Sequence, residues 1–160
     1  MRYAIVALLG AACLAAACSN GQPSTFTVTN ASVDPTYWCP GGANNAAYDL
    51  HATIDVRNGT SKSVTIDSAT AELKLVAVKG NWLEKIGDRY DTSKVSYSPT
   101  SVDGGSSAAV KVTIPSACTS GKYGASASSY GDYEVTVHLT TSAGVFSITA
   151  KNQHQILAAT

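Results

Sequence analysis

The 160-residue sequence sets 11 Lys and Arg against 11 Asp and Glu, and only 14% of it is charged. With no basic stripe to neutralise phosphates, nucleic acid is excluded as a partner. Regularly spaced Val, Ile and Leu at near-zero net charge exclude a disordered chain, and the length suits a leader followed by one domain with a modest core.

The first element in chain order is the leader. Arg2 carries a positive charge and is followed by an apolar run from Ala4 to Ala17, shorter than the ~20 residues a membrane-crossing helix needs. Length and flanks are those of a secretory signal peptide over 1–17. The run closes Leu14-Ala15-Ala16-Ala17-Cys18-Ser19, small residues followed at once by a cysteine. This resembles the bacterial lipobox, in which the thiol is acylated and becomes the new N-terminus, with Ala15 standing where that motif prefers Leu. Cys13 is a second candidate but would place Gly10 at that position. Ordinary secretion with cleavage before Cys18 is the competing reading. Cysteine arithmetic favours the lipid: of four cysteines, Cys13 leaves with the leader and Cys18 is acylated. Cys39 and Cys118 then remain for one disulfide in an oxidising compartment. Residues 18–25 are polar and bear Gly21 and Pro23, a tether of roughly 20 Å if extended.

From Phe26 to the end, taken as one domain over 26–160, the hydrophobic period is two. Phe26 and Val28 alternate with Thr25, Thr27 and Thr29. Leu50, Ala52, Ile54 and Val56 share a face, as do Ala71, Leu73, Leu75 and Ala77, then Ala108, Val110, Val112 and Ile114, then Val135, Val137 and Leu139. Such strands bury one side and wet the other. Turn signals at Asn58-Gly59, Lys79-Gly80-Asn81, Asp103-Gly104-Gly105, Gly131-Asp132 and Ala143-Gly144 separate them. The predicted strands are A near 24–32, B 49–57, C 63–67, D 70–79, a short piece near 93–97, E 107–114, F 132–140 and G 144–156. Residues 80–106 are read as loop or one further edge strand. About seven strands with one wet face each predict two sheets packed face to face.

Three segments carry a family resemblance. Asp55-Val56-Arg57-Asn58-Gly59-Thr60 and the strands after it resemble the V-x-N-x-[ST] opening of bacterial immunoglobulin-like domains, the FxLYD-type and CARDB-type lipoprotein domains among them. Val102-Asp103-Gly104-Gly105-Ser106 is similar to the L-x-P-G-x-S turn before strand E of those families, with Asp103 in place of the Pro. Gly131-Asp132-Tyr133-Glu134-Val135 resembles a tyrosine corner, in which the Tyr133 hydroxyl bonds to nearby backbone at the start of strand F. Val135 stands where antibody domains carry a cysteine, so an antibody-type core disulfide is excluded. The resemblance implies an all-β, immunoglobulin-like two-sheet antiparallel β-sandwich. In that topology the A–B and E–F connections share a pole, which brings Cys39 and Cys118 to the same end.

The chemistry-bearing residues are sparse. His51 and His138 fall on outward faces of opposite sheets and His154 stands alone near the C-terminus, so all three read as solvated and no metal site is predicted. Met1 leaves with the leader, which removes the ligand type copper carriers use. No G-x-S-x-G elbow occurs, and Glu72, Glu84 and Glu134 form no glycosidase pair. Asp88, Asp91 and Asp103 lack calcium-loop spacing. Trp38 and Trp82 are the candidate ligand contacts, because exposed indoles bind sugar rings and proteins alike; the competing reading makes Trp38 a plug for an open end and Trp82 the cover of a sheet edge. The sequence therefore points to a non-enzymatic, cofactor-free interaction or accessory module, exported and lipid-anchored to the cell membrane or outer membrane. Its expected partners are the membrane through the lipid on Cys18 and an envelope protein or glycan. A carbohydrate-binding module using the loop aromatics is the alternative.

Overall fold

The computed structural model describes residues 25–120 and 129–158; Cys18, the leader and most of the tether lie outside the described residues. The strands are β1 Phe26–Val33, β2 Thr36–Cys39, β3 Ala46–Asn58, β4 Val64–Lys79, β5 Arg89–Thr92, β6 Ser96–Ser98, β7 Ser101–Val102, β8 Ser107–Cys118, β9 Tyr130–Thr141, β10 Gly144–Thr149 and β11 His154–Ala158. They form two sheets, β1-β3-β8-β6 and β2-β11-β9-β4-β5, with β10 also against β9 and β7 against β4. This is an immunoglobulin-like β-sandwich.

The alternating residues do what their period demands. Leu50, Ile54 and Val56 of β3 and Val110, Val112 and Ile114 of β8 turn inward from the first sheet. They meet Leu73 and Leu75 of β4 and Val135, Val137 and Leu139 of β9 from the second, all of them buried. Burying one such side chain contributes about 1.5–3 kcal/mol, so the four long central strands carry the core between them.

Several sequence boundaries are corrected. Predicted strands C and D are a single strand, β4. Its bulge between Ile66 and Ser68 moves the inward face from Ile66 to Ala69 and Ala71, and that change of parity looks like a break when read along the chain. Predicted strand G is two strands, β10 and β11, which share the same flank of β9. Residues 80–106 hold three short strands rather than one. β2 was read as loop; it runs parallel to β11 from Gln155↔Thr36 to Ala158↔Cys39, the one parallel pairing among the described strands.

The Asn58-Gly59-Thr60 motif has a local cause. The Asn58 side chain is buried and donates to the carbonyls of Lys62 (2.8 Å) and Val102 (2.9 Å), while its oxygen accepts from the Thr60 amide and hydroxyl. It thereby joins the β3–β4 turn to the 103–106 turn at one pole, where Gly104 lies too close to the Ser61 backbone for any side chain. The opposite pole gathers residues 40–45, 80–88 and 119–120. There the Ser120 amide bonds the Ala43 carbonyl at 2.9 Å.

Candidate functional site

Cys39 and Cys118 meet at this second pole as a disulfide, with Cα atoms 5.9 Å apart. The bond joins edge strand β2 of one sheet to the end of β8 in the other. Trp38 precedes it. Tyr37 and Cys39 turn inward, so Trp38 turns outward, and it is 67% exposed. The register sets Trp38 beside Leu157, Leu157 beside Tyr130, and Tyr130 beside Lys79, one rung across four strands on the outer face. The Lys79 ammonium sits 5.9 Å from the centre of the Tyr130 ring. On the neighbouring rung Gln155 donates to Asp132 at 2.8 Å.

Trp82 lies on the other side of the same sheet. A Cβ built on Gly131 would stand 2.7 Å from its ring, so the glycine is what lets the indole lie flat on β9. Its Nε1 donates to the Tyr133 hydroxyl (3.1 Å), which donates to Glu84 Oε2 (3.2 Å). Tyr133 therefore makes no tyrosine corner. Its hydroxyl serves side chains of the 80–88 loop, because the split of the last strand and the inward Gly131 bring that loop over β9. Trp38 and Trp82, the two predicted ligand contacts, are on opposite faces and cannot share a ligand. The reading that made Trp38 a plug does not survive its exposure.

Between the sheets, beside these residues, a cleft of about 420 Å³ opens where β6 stops short of the end of β8. Leu73, Tyr90, Thr92, Tyr133 and Ile156 line it from one sheet, Ser116 and Thr119 from the β8 end, and Asn45 and Glu84 from the pole. Burial and then the charge of Glu84 push the Tyr90 hydroxyl up to about 12. Tyr133 is raised further by the same two causes in the same order.

The histidines separate as follows. His51 and His138 lie on opposite sheets, His51 bonded to Asp34 at 3.0 Å and His138 to Ser147 at 2.7 Å. His154 is not solvated as predicted but 1% exposed. Its parity with Ile156 and Ala158 turns it inward. Nδ1 donates to the Asp34 carbonyl at 2.7 Å, so Nε2 accepts from the Tyr48 hydroxyl at 2.9 Å. Burial lowers its pKa, and Tyr48, itself stacked on Tyr37 with centroids 3.8 Å apart, is pushed up to about 12 by burial. A neutral imidazole held this way braces β11 against the β1–β2 connection. Among the described residues no three His, Cys, Asp or Glu side chains are grouped to hold a metal. Sequence reasoning missed Leu157, which lies just beyond the predicted end of strand G, and set Glu84 aside as a loop residue.

No family model matches the chain, and no curated protein is similar to it. Among solved structures it is similar to the ASH/PapD-like domain 7 of human CEP192, at 13% identity over 99% of this chain and 98% of that one, with a TM-score of 0.33. It is also similar to AggA, the major subunit of aggregative adherence fimbriae type I from Escherichia coli, at 11% identity over 84% and 95%, with a TM-score of 0.32. At these scores the likeness carries no argument, and the fold and the function are argued from the strands and residues themselves.

Proposed function

We propose that the protein is a non-enzymatic interaction module of the cell envelope, held at a membrane by a lipid on Cys18 and engaging a partner through the outer face at its disulfide pole. The observation that carries this reading is the rung Trp38, Leu157, Tyr130 and Lys79. Exposing an indole to water is unfavourable, and an exposed indole on a rigid strand is the kind of anchor that dominates protein interfaces. Cys39, covalently tied to the other sheet, fixes the strand that presents it, so little entropy is lost on binding. The lipid anchor is supported by Leu14–Ser19 and by the odd cysteine it accounts for.

The test is co-purification from detergent-solubilised envelopes of the producing cell. A protein recovered stoichiometrically with the wild type should be lost with Trp38→Ala and kept with His51→Ala, which alters an exposed residue of the opposite sheet. An unchanged set of partners with Trp38→Ala would refute this use of the face. A glycan is the second reading, favoured by the polar Asp132–Gln155 pair running beside the aromatic rung, since sugars need a flat apolar surface with hydrogen-bonding groups alongside. Glycan-array binding that disappears with Trp38→Ala would select it.

A further inference from the structure

The cleft between the sheets is lined by carboxylates, and among the described residues none of the side chains lining it is basic. Asp91 stands opposite Glu72 in register, on the outer face, whereas Tyr90 stands opposite inward-facing Leu73. Asp91 also borders the cleft, and the half-buried Glu84 is the carboxylate set beside the two tyrosine hydroxyls. Arg89 also lies on the outer face, where it bonds both oxygens of Glu72 at 3.2 and 3.0 Å. Among the described residues Glu84 makes no salt bridge; its partners are the hydroxyls of Tyr133, at 3.2 Å, and Tyr90. Hydroxyl donors satisfy hydrogen-bonding capacity but cancel no charge.

We infer that this cleft is a binding site for a small organic cation, its ammonium group held against the Glu84 carboxylate between Tyr90 and Tyr133. The volume, about 420 Å³, lies toward the small end of ligand sites. The lining joins an apolar floor, Leu73 and Ile156, to two carboxylates, Glu84 and Asp91, and two tyrosine rings, which together attract a cation carried on a short carbon body. A neutral sugar of the same size would strip water from the carboxylate and return no charge to it, which is unfavourable. An ammonium returns that charge. Burial first and then the field of Glu84 raise both hydroxyls, so they stay neutral across the physiological range. The site faces the interior of the sandwich while Trp38 faces outward, so it is separate from the surface proposed above.

Isothermal titration of the full chain tests this, with choline and n-butylammonium as cations and 3,3-dimethyl-1-butanol, the uncharged isostere of choline, and glucose as neutral probes. Saturable binding of a cation in the millimolar range is expected, at least about tenfold tighter than the isostere. Glu84→Gln keeps an acceptor for Tyr133 and should weaken the cation about tenfold or more; His51→Ala, an exposed position of the other sheet, should leave cation binding unchanged. Thr92→Lys, which introduces an ammonium into the cleft from β5 without altering a partner of Glu84, should abolish binding and serves if Glu84→Gln does not fold. Equal affinity for choline and its isostere, binding of glucose alone, or no saturable binding of either cation would overturn the inference.

Discussion

Removing the disulfide separates what it does for the whole fold from what it does for one strand. Cys39 and Cys118 are 79 residues apart in sequence, and loop-closure entropy for a loop of that length corresponds to about 4.5 kcal/mol, an upper figure because real denatured chains keep residual structure. For a domain of this size the loss should lower the melting temperature by roughly 15 °C. The native state should survive, because the buried residues of β3, β4, β8 and β9 pack without the bond. Strand β2 should not survive as it is: among the described strands its four residues pair only with β11, and Cys39 is its covalent tie to the first sheet. Cys39→Ala/Cys118→Ala should therefore unfold at lower guanidinium concentration with a cooperative transition, and the amides of Thr36–Cys39 should lose hydrogen-exchange protection well before those of β9. An unchanged midpoint would refute the entropic argument. Protection of β2 equal to that of β9 would refute the claim that the bond is what presents Trp38.

Two further outcomes follow from the structure and a third from the sequence. Because burial lowers the pKa of His154, the unfolded chain binds a proton near its ordinary value of about 6.5 while the folded chain resists it. Stability should be full above that pH and fall as pH drops below it, by at most about 1.4 kcal/mol per unit. Guanidinium melts at pH 8 and pH 5 check this, and His154→Gln should flatten the difference. Tyr133→Phe removes the acceptor of the Trp82 indole and the donor to Glu84. It should cost about 1–2 kcal/mol with a change in tryptophan emission; emission like the wild type would mean that the indole is held by Gly131 packing alone. Cys18→Ala should move the protein from the membrane fraction to the soluble one, since lipid chains provide the anchoring, and mass spectrometry of the wild-type N-terminus should find Cys18 acylated.

The parts of this protein legible from sequence are those written locally. A strand with one face in the core states its own faces by period two, so β3, β8 and β9 could be placed from Leu50–Val56, Ala108–Ile114 and Val135–Leu139, and a set of such strands implies two stacked sheets. Counting cysteines on the expectation of export gives the Cys39–Cys118 bond for an equally local reason, the chemistry of an oxidising compartment. Pairing is different, because it joins residues far apart in the chain. Thr36–Cys39 is a strand only because β11 offers it an edge and a disulfide holds it there. β4 reads as two strands until β9 shows the bulge that shifts its register. His154 looks like a surface histidine until β11 docks beside β9 and turns it toward Tyr48, 106 residues away. The cleft with Glu84, Tyr90 and Tyr133, and the outer rung from Trp38 to Lys79, exist only when strands remote in sequence come into register. Alternation specifies which side of each strand is buried; only tertiary packing decides which neighbours meet there, because that choice depends on the shapes and lengths of every strand at once.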